Sequence, residues 1–280
     1  MTRRIILHIG SPKCGSTYLQ KVLSQNAEAL GSVGIRYPAP AATHPGNAGD
    51  LQTITRERLE SYFAGGIETV VLSHEDLYSL PGRGDALAAL AAEDGAEVQI
   101  VAFLRPFSEF LYGDYSQFMK QHFEQFLATR NPYDGRSFRE FCERRVKTLN
   151  PAQFLRNWQK RFPSVPLALD SHRAIRPVLE RLLGEIPAMD WTVRRHETNP
   201  SLRMEDCDRI VAAMRDLDRN AKDIRDMFRT AFHMTAEPDA GKTEARTAWI
   251  EAAFARQNAA ILDEFGYDNR LARQAREKCG

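Results

Sequence analysis

The chain has little sulfur to build with. Four cysteines (Cys14, Cys142, Cys207 and Cys279) are scattered over 280 residues with no C-x-x-C pair, which argues against a zinc site or a disulfide framework. Long apolar runs are also missing: no stretch approaches the ~20 apolar residues a bilayer crossing requires. The opening Met1-Thr2-Arg3-Arg4 before Ile5-Ile6-Leu7 imitates a secretory leader, but His8, Gly10 and Pro12 break the run too early, so a cytoplasmic location is expected. Nor is there an excess of one charge. With 38 Lys and Arg against 37 Asp and Glu the formal net charge is +1, and a long polyanion would call for a stronger basic bias, which disfavours nucleic acid as a partner. There is no internal repeat.

What is present is alternation. Arg4–Ile9, the run at Thr69–Leu72, Val98–Leu104 and Val165–Leu169 have the apolar density of buried strands. Between them, helical spacing recurs from Thr17 to a stop at Gly31, over Ala86–Ala92, after Pro106 and Pro151, and over Ile175–Leu183. From Pro200 onward the pattern turns wholly helical, over 205–235 and 243–265, with a basic tail from Asn269. Strands alternating with helices predict an α/β fold, three layers about a central, mainly parallel sheet, with a helical C-terminal third. A single domain over 1–280 is expected, its core at 1–204 and the helical extension of 205–280 packed on it. Such sheets bind ligands outside the carboxyl ends of their strands, and three polar clusters follow Ile9, Leu72 and Leu104.

The first cluster, Gly10-Ser11-Pro12-Lys13-Cys14-Gly15-Ser16-Thr17, joins a strand to a helix. Backbone N–H groups at a helix N-terminus form an anion site, small residues admit a phosphate closely, and Ser16 and Thr17 add hydroxyl donors. In a Walker A loop the lysine follows the second glycine. Here Ser16 takes that place and the lysine has moved back to Lys13, which argues against an ordinary ATPase or GTPase. The segment Pro12-Lys13-Cys14-Gly15-Ser16-Thr17 resembles the 5′-phosphosulfate loop of the sulfotransferases, P-K-[TS]-G-[TS]-[TS], departing at Cys14.

That resemblance implies a P-loop-type fold and 3′-phosphoadenylyl sulfate (PAPS) as donor, leaving adenosine 3′,5′-bisphosphate (PAP), with no metal required. It implies that Pro12 to Thr17 hold the donor and that Lys13 also steadies the leaving phosphate. Val101-Ala102-Phe103-Leu104-Arg105-Pro106 is similar to the family strand whose terminal arginine holds the 3′-phosphate. The family serine eight residues on is replaced by Gly113, leaving Ser116, one turn further, or Tyr112 to substitute. The base is expected from Ser73-His74-Glu75: Glu75 is favoured because apolar strand followed by Ser-x-Glu is similar to bacterial and glycan-acting members, with His74 the other candidate. Successive residues on an extended chain face opposite ways, so one of the two faces the site.

Asn157-Trp158 and Phe162 also resemble family positions, and Arg194–Ser201 resembles the late loop that closes over the nucleotide, with Arg195 or Asn199 as contacts. His44-Pro45-Gly46-Asn47 and the aromatic stretch Tyr112–Phe126 are candidates for acceptor contact, although an aromatic stripe at helical spacing more often lines a core. The expected activity is sulfuryl transfer to a hydroxyl or amine of a small molecule, glycan or lipid. The alternatives are a P-loop nucleotide kinase or hydrolase, and a nucleotide-binding module without turnover.

Overall fold

A computed structural model describes residues 3–40, 44–233, 235 and 237–271. Cys279 and most of the basic tail lie outside the described residues. The elements run β1 (Arg4–His8), α1 (Ser16–Gln25), α2 (Ala27–Ser32), β2 (Ile35–Arg36), α3 (Arg56–Phe63), β3 (Thr69–Ser73), α4 (Asp85–Asp94), β4 (Glu97–Leu104) and α5 (Phe107–Thr129). They continue through α6 (Phe138–Thr148), α7 (Pro151–Arg161), β5 (Leu167–Ser171), α8 (Ile175–Leu183), α9 (Met204–Arg215), α10 (Ala221–Thr230), α11 (Glu244–Ala253) and α12 (Ala255–Phe265).

The chain divides into two compact units. The first holds 1–105, 151–199 and 260–267; the second holds 106–150, 200–259 and 268–280. The helical segment after Pro200 is therefore grouped mostly with α5 and α6.

The first unit is built on a five-stranded sheet, ordered β2-β3-β1-β4-β5 and parallel at every pairing. From β1 the chain moves outward to β2, then reverses through β3 and passes over β1 to β4. Right-handed crossovers put the connections before and after such a reversal on opposite faces. The packing agrees: Ile6, Val71, Val101 and Phe103 share one buried cluster with Leu19, Val22 and Leu23 of α1, Leu30 of α2, and Val178 and Leu179 of α8. On the other face Ile5, Leu7, Val70, Leu72, Ile100 and Ala102 are equally buried. A sheet apolar on both faces demands helices on both, which is the three-layer arrangement expected from the sequence. By the general rule for open parallel sheets, such a reversal places a ligand crevice outside the carboxyl ends of the strands, here β1 with its neighbours β3 and β4.

The second unit is helical, and the aromatic stripe of α5 forms its core. Tyr115 stacks on Tyr133 with ring centroids 3.9 Å apart, and Phe118, Phe138 and Phe141 close around that pair. Tyr115, Phe123 and Phe126 are buried, so of the two readings of this stripe the structure takes the core.

Candidate functional site

The loop after β1 does not leave the sheet at once. Ile9 N–H donates to Val101 O, Phe103 N–H to Gly10 O and Ser11 N–H to Phe103 O, so the β1–β4 ladder runs on into the loop. From there the backbone alternates in hand. Lys13 has φ 62° and Gly15 φ 87°, while Pro12 and Cys14 between and before them keep negative φ. Alternation of this kind forms the concave backbone "nest" that accepts anions, and α1 begins at Ser16 immediately after it. A lysine in the left-handed region carries a conformational penalty, which marks this turn as more than a passive connection.

Two glycines fix the loop. A Cβ on Gly10 would lie 2.7 Å from the carbonyl oxygen of Glu75, and one on Gly15 would lie 2.5 Å from Cδ1 of Ile175. The loop thus rests directly on the backbone of the candidate base. Ser16 is buried, and its hydroxyl finds no hydrogen-bond partner among the described residues. An unmatched buried hydroxyl beside an anion nest suits a phosphate or sulfate oxygen. Pro12, Lys13 and Thr17 are partly exposed on the same loop. The Cys14 side chain instead points inward, 1% exposed in the α1–α8 core cluster, so only its backbone can face a ligand.

Glu75 follows β3 and keeps 28% of its side chain exposed. Its Oε2 lies 3.4 Å from Nε2 of Gln20, which reaches across from α1, and its Oε1 lies 3.5 Å from Nε2 of His44. His74 is the more enclosed of the two candidates. It is 8% exposed, its Nδ1 accepts the Asp76 N–H, and its ring lies stacked under His44 at 4.4 Å. Burial holds its imidazole below the usual histidine pKa. Beneath them His8 is sealed in the sheet, with Nδ1 2.8 Å from Ser73 Oγ and its pKa pushed down by burial to about 3.

The segment 44–50 is bound to the end of β3. Asn47 Nδ2 donates to Pro38 O and Val71 O, its Oδ1 accepts Ser73 N–H, and its own N–H donates to Ser73 O. Asn47 therefore acts as a strand surrogate rather than a ligand group. His44, by contrast, is directed at Glu75. Sequence reasoning missed Gln20, a wholly buried amide among the apolar residues of α1; that polar residue on an otherwise apolar face was the available signal.

Arg105 stands at the carboxyl end of β4, partly buried, two residues beyond the point where Ser11 meets Phe103. Beside it His172 N–H donates to Leu104 O, and His172 O would lie 3.9 Å from a Cβ on Gly15. The turn after β5 thus joins the loop surroundings, another neighbour the sequence did not announce. The 3-10 turn Arg195–Thr198 packs against α1 with Arg194 and Arg195 exposed, and Asn199 takes φ 53°.

Ser116, within the second unit, is 0% exposed, and its Oγ accepts Leu202 N–H at 2.6 Å. That hydroxyl is committed to holding the chain that enters α9. At the start of α5 in the same unit, Ser108 N–H and Oγ both donate to Glu251 Oε1, at 2.8 and 2.5 Å. Among the described residues no cluster of His, Cys, Asp or Glu is placed to hold a metal ion, and no helix is long and apolar enough to cross a membrane.

No family model matches this chain, and no curated protein matches it. Among solved structures, the crystal structure of a sulfotransferase from Alicyclobacillus acidocaldarius is similar over 80% of this chain and 100% of that one, at 13% sequence identity and a TM-score of 0.44.

Proposed function

We propose that the first unit binds a 3′-phosphoadenylyl sulfate donor and transfers its sulfuryl group to an acceptor hydroxyl. The observation that carries this reading is one loop. An alternating-hand backbone at Pro12–Gly15 holds Lys13, ends in the buried, unmatched hydroxyl of Ser16, and rests through Gly10 on the backbone of Glu75. That contact supports a reading in which an anion and the Glu75 carboxylate work from adjoining segments, as a transfer from an anionic donor to a protic acceptor requires.

Each residue has a role that follows from its chemistry. The nest, Ser16 and Thr17 take the 5′ anionic group, and Lys13 offsets the charge that grows on the leaving oxygen. Arg105 supplies the planar, charge-assisted grip suited to a second phosphate at the end of the neighbouring strand. Glu75 accepts the acceptor's proton, its exposed edge being the part that remains reachable. In the transfer the acceptor oxygen–sulfur bond forms as the sulfur–phosphate oxygen bond breaks, the proton passes to Glu75 and the bisphosphate departs. Ser116 has no part in this reading, because its oxygen already holds Leu202.

Calorimetry with adenosine 3′,5′-bisphosphate in magnesium-free buffer tests the donor site. Micromolar binding that Lys13→Ala and Arg105→Ala each weaken by about 10- to 100-fold is the expected result. No binding, or a preference for magnesium-ATP, would overturn the donor assignment in favour of a kinase or hydrolase.

A further inference from the structure

The surroundings of Glu75 are more elaborate than a surface carboxylate needs. One oxygen faces Gln20 and the other faces His44, and each donor is itself held from behind. Gln20 Nε2 also donates to Ser73 Oγ at 3.1 Å, which in turn meets His8 Nδ1. His44 Nδ1 accepts the N–H of Gly46 at 2.9 Å. A ring nitrogen that accepts a backbone N–H cannot carry a proton, so His44 is a neutral imidazole with its hydrogen on Nε2, the atom facing Glu75. The ring is pinned below by the stacked His74, and the loop that carries it is tied down by Asn47 and by Tyr37 Oη donating to Pro45 O at 2.7 Å. Gly46 has no room for a side chain: a Cβ there would lie 2.9 Å from Ser73 O and 3.0 Å from both Gln20 Nε2 and His44 Nδ1.

We propose that His44 is a positioning residue, a neutral Nε2–H donor that, with Gln20 on the opposite oxygen, sets the orientation of the Glu75 carboxylate toward the crevice. The catalytic consequence rests on the reading of Glu75 as base; the holding geometry does not. Both separations, 3.4 and 3.5 Å, are longer than a formed hydrogen bond, and catalytic contacts of this kind shorten when a complex closes. Other polar groups about Glu75 include His74 and Asp76 on its own segment and Tyr37, whose phenol feels the Glu75 charge but donates to Pro45 O, with Arg83 and Asp50 beyond His74. None of these is placed by the structure on a Glu75 oxygen.

The test has two arms on the full chain. In the first, long-range proton–nitrogen spectra of histidine-labelled protein near neutral pH identify the His44 ring by its absence in His44→Gln. The expected signature is an Nε2–H tautomer whose Nε2 signal moves in Glu75→Ala. A mixture of tautomers, an Nδ1–H tautomer, or an Nε2 signal indifferent to Glu75→Ala would overturn the proposal. In the second, release of adenosine 3′,5′-bisphosphate from the phosphosulfate donor is followed with a mixed panel of hydroxyl acceptors. His44→Ala is expected to lower turnover on the order of 10- to 100-fold with donor affinity unchanged. His44→Gln, whose amide nitrogen reaches the same place, should restore most of it, and His44→Asn, which is too short, should not. If Glu75→Ala abolishes release while His44→Ala leaves it intact, the positioning role is refuted and the base stands. If Glu75→Ala leaves release intact, or the wild-type chain releases nothing, the reading of Glu75 as base falls, and the spectra alone decide the holding contact.

Discussion

Three glycines in left-handed backbone offer a graded test of how the anion loop is seated. Gly95 ends α4 with φ 64° and has nothing within 4 Å of where a Cβ would stand. Gly95→Ala therefore exposes the conformational cost alone, about 1–2 kcal/mol. Gly15, at φ 87°, adds a collision with Cδ1 of Ile175 at 2.5 Å. That atom is the end of a flexible side chain in a packed core, so Gly15→Ala should cost about 2–4 kcal/mol once overpacking is included. Gly10, at φ 99°, would meet the carbonyl oxygen and Cα of Glu75 at 2.7 and 3.0 Å. Backbone cannot rotate out of the way, so Gly10→Ala has to lift the loop off the end of β3, at about 3–5 kcal/mol. Urea unfolding of the three variants measures the series, and bisphosphate calorimetry measures the site beside it. The expected order of destabilisation is Gly10 above Gly15 above Gly95, with binding weakened in the first two and unchanged in the third. A Gly10→Ala protein as stable as Gly95→Ala would refute the claim that the loop is built on the Glu75 backbone.

Further outcomes follow from buried polar groups. His8 is sealed from water with its pKa near 3 against an ordinary 6.5, so above pH 6.5 it is neutral folded or unfolded. As pH falls below 6.5 the unfolded chain protonates first, and stability should decline by up to ~1.4 kcal/mol per unit until about pH 3. Denaturant unfolding between pH 7.5 and 4.5 should show this slope, and His8→Asn should lose His8's share of it; identical slopes would exclude His8 as the source. Ser116→Ala strips the acceptor from the buried Leu202 N–H and should cost about 1–3 kcal/mol while leaving bisphosphate affinity untouched. A selective loss of affinity would instead place Ser116 in the donor site. Trp158→Phe removes the indole N–H that donates to Leu77 O at 2.9 Å and should destabilise by a similar ~1–3 kcal/mol, read by the same unfolding assay.

The sheet was legible because buried parallel strands announce themselves as short apolar runs. Four of the five strands were expected from the sequence, although β5 begins two residues later than the expected Val165. β2, with only Ile35 and Arg36, is too short to carry any pattern. The helix expected from Thr17 to Gly31 is two helices. Asn26 breaks it by turning its side chain to Val22 O and to the N–H and carbonyl of Asp190, a contact 164 residues away that local periodicity cannot contain. The C-terminal helices were drawn too long for a local reason: Asp216–Asn220 and Phe254 interrupt them. At the candidate site, the turn that carries Gly10, Lys13, Gly15 and Ser16 was readable as a strand-to-helix connection because glycine, lysine and hydroxyl spacing is a local property. The choice between Glu75 and His74 was open in the sequence, since it depends on which side chain the 44–50 segment covers. Ser116 looked available because one turn of helix separates it from Gly113; its engagement with Leu202 arises only from packing.

The ladder that continues from β1 through Gly10 and Ser11 has a metrological consequence. Lys13 and Arg105 each lie two residues beyond Ser11 and Phe103, the last pair that the ladder joins, so the span between their backbones is set by that register. Under the proposed function, a donor held by both residues is gauged against that span. Inserting one residue between Phe103 and Arg105 would move one jaw by about 3.3 Å relative to the other. A molecule carrying two anionic groups at the wrong interval would then be rejected by length, even though each group alone still found its seat.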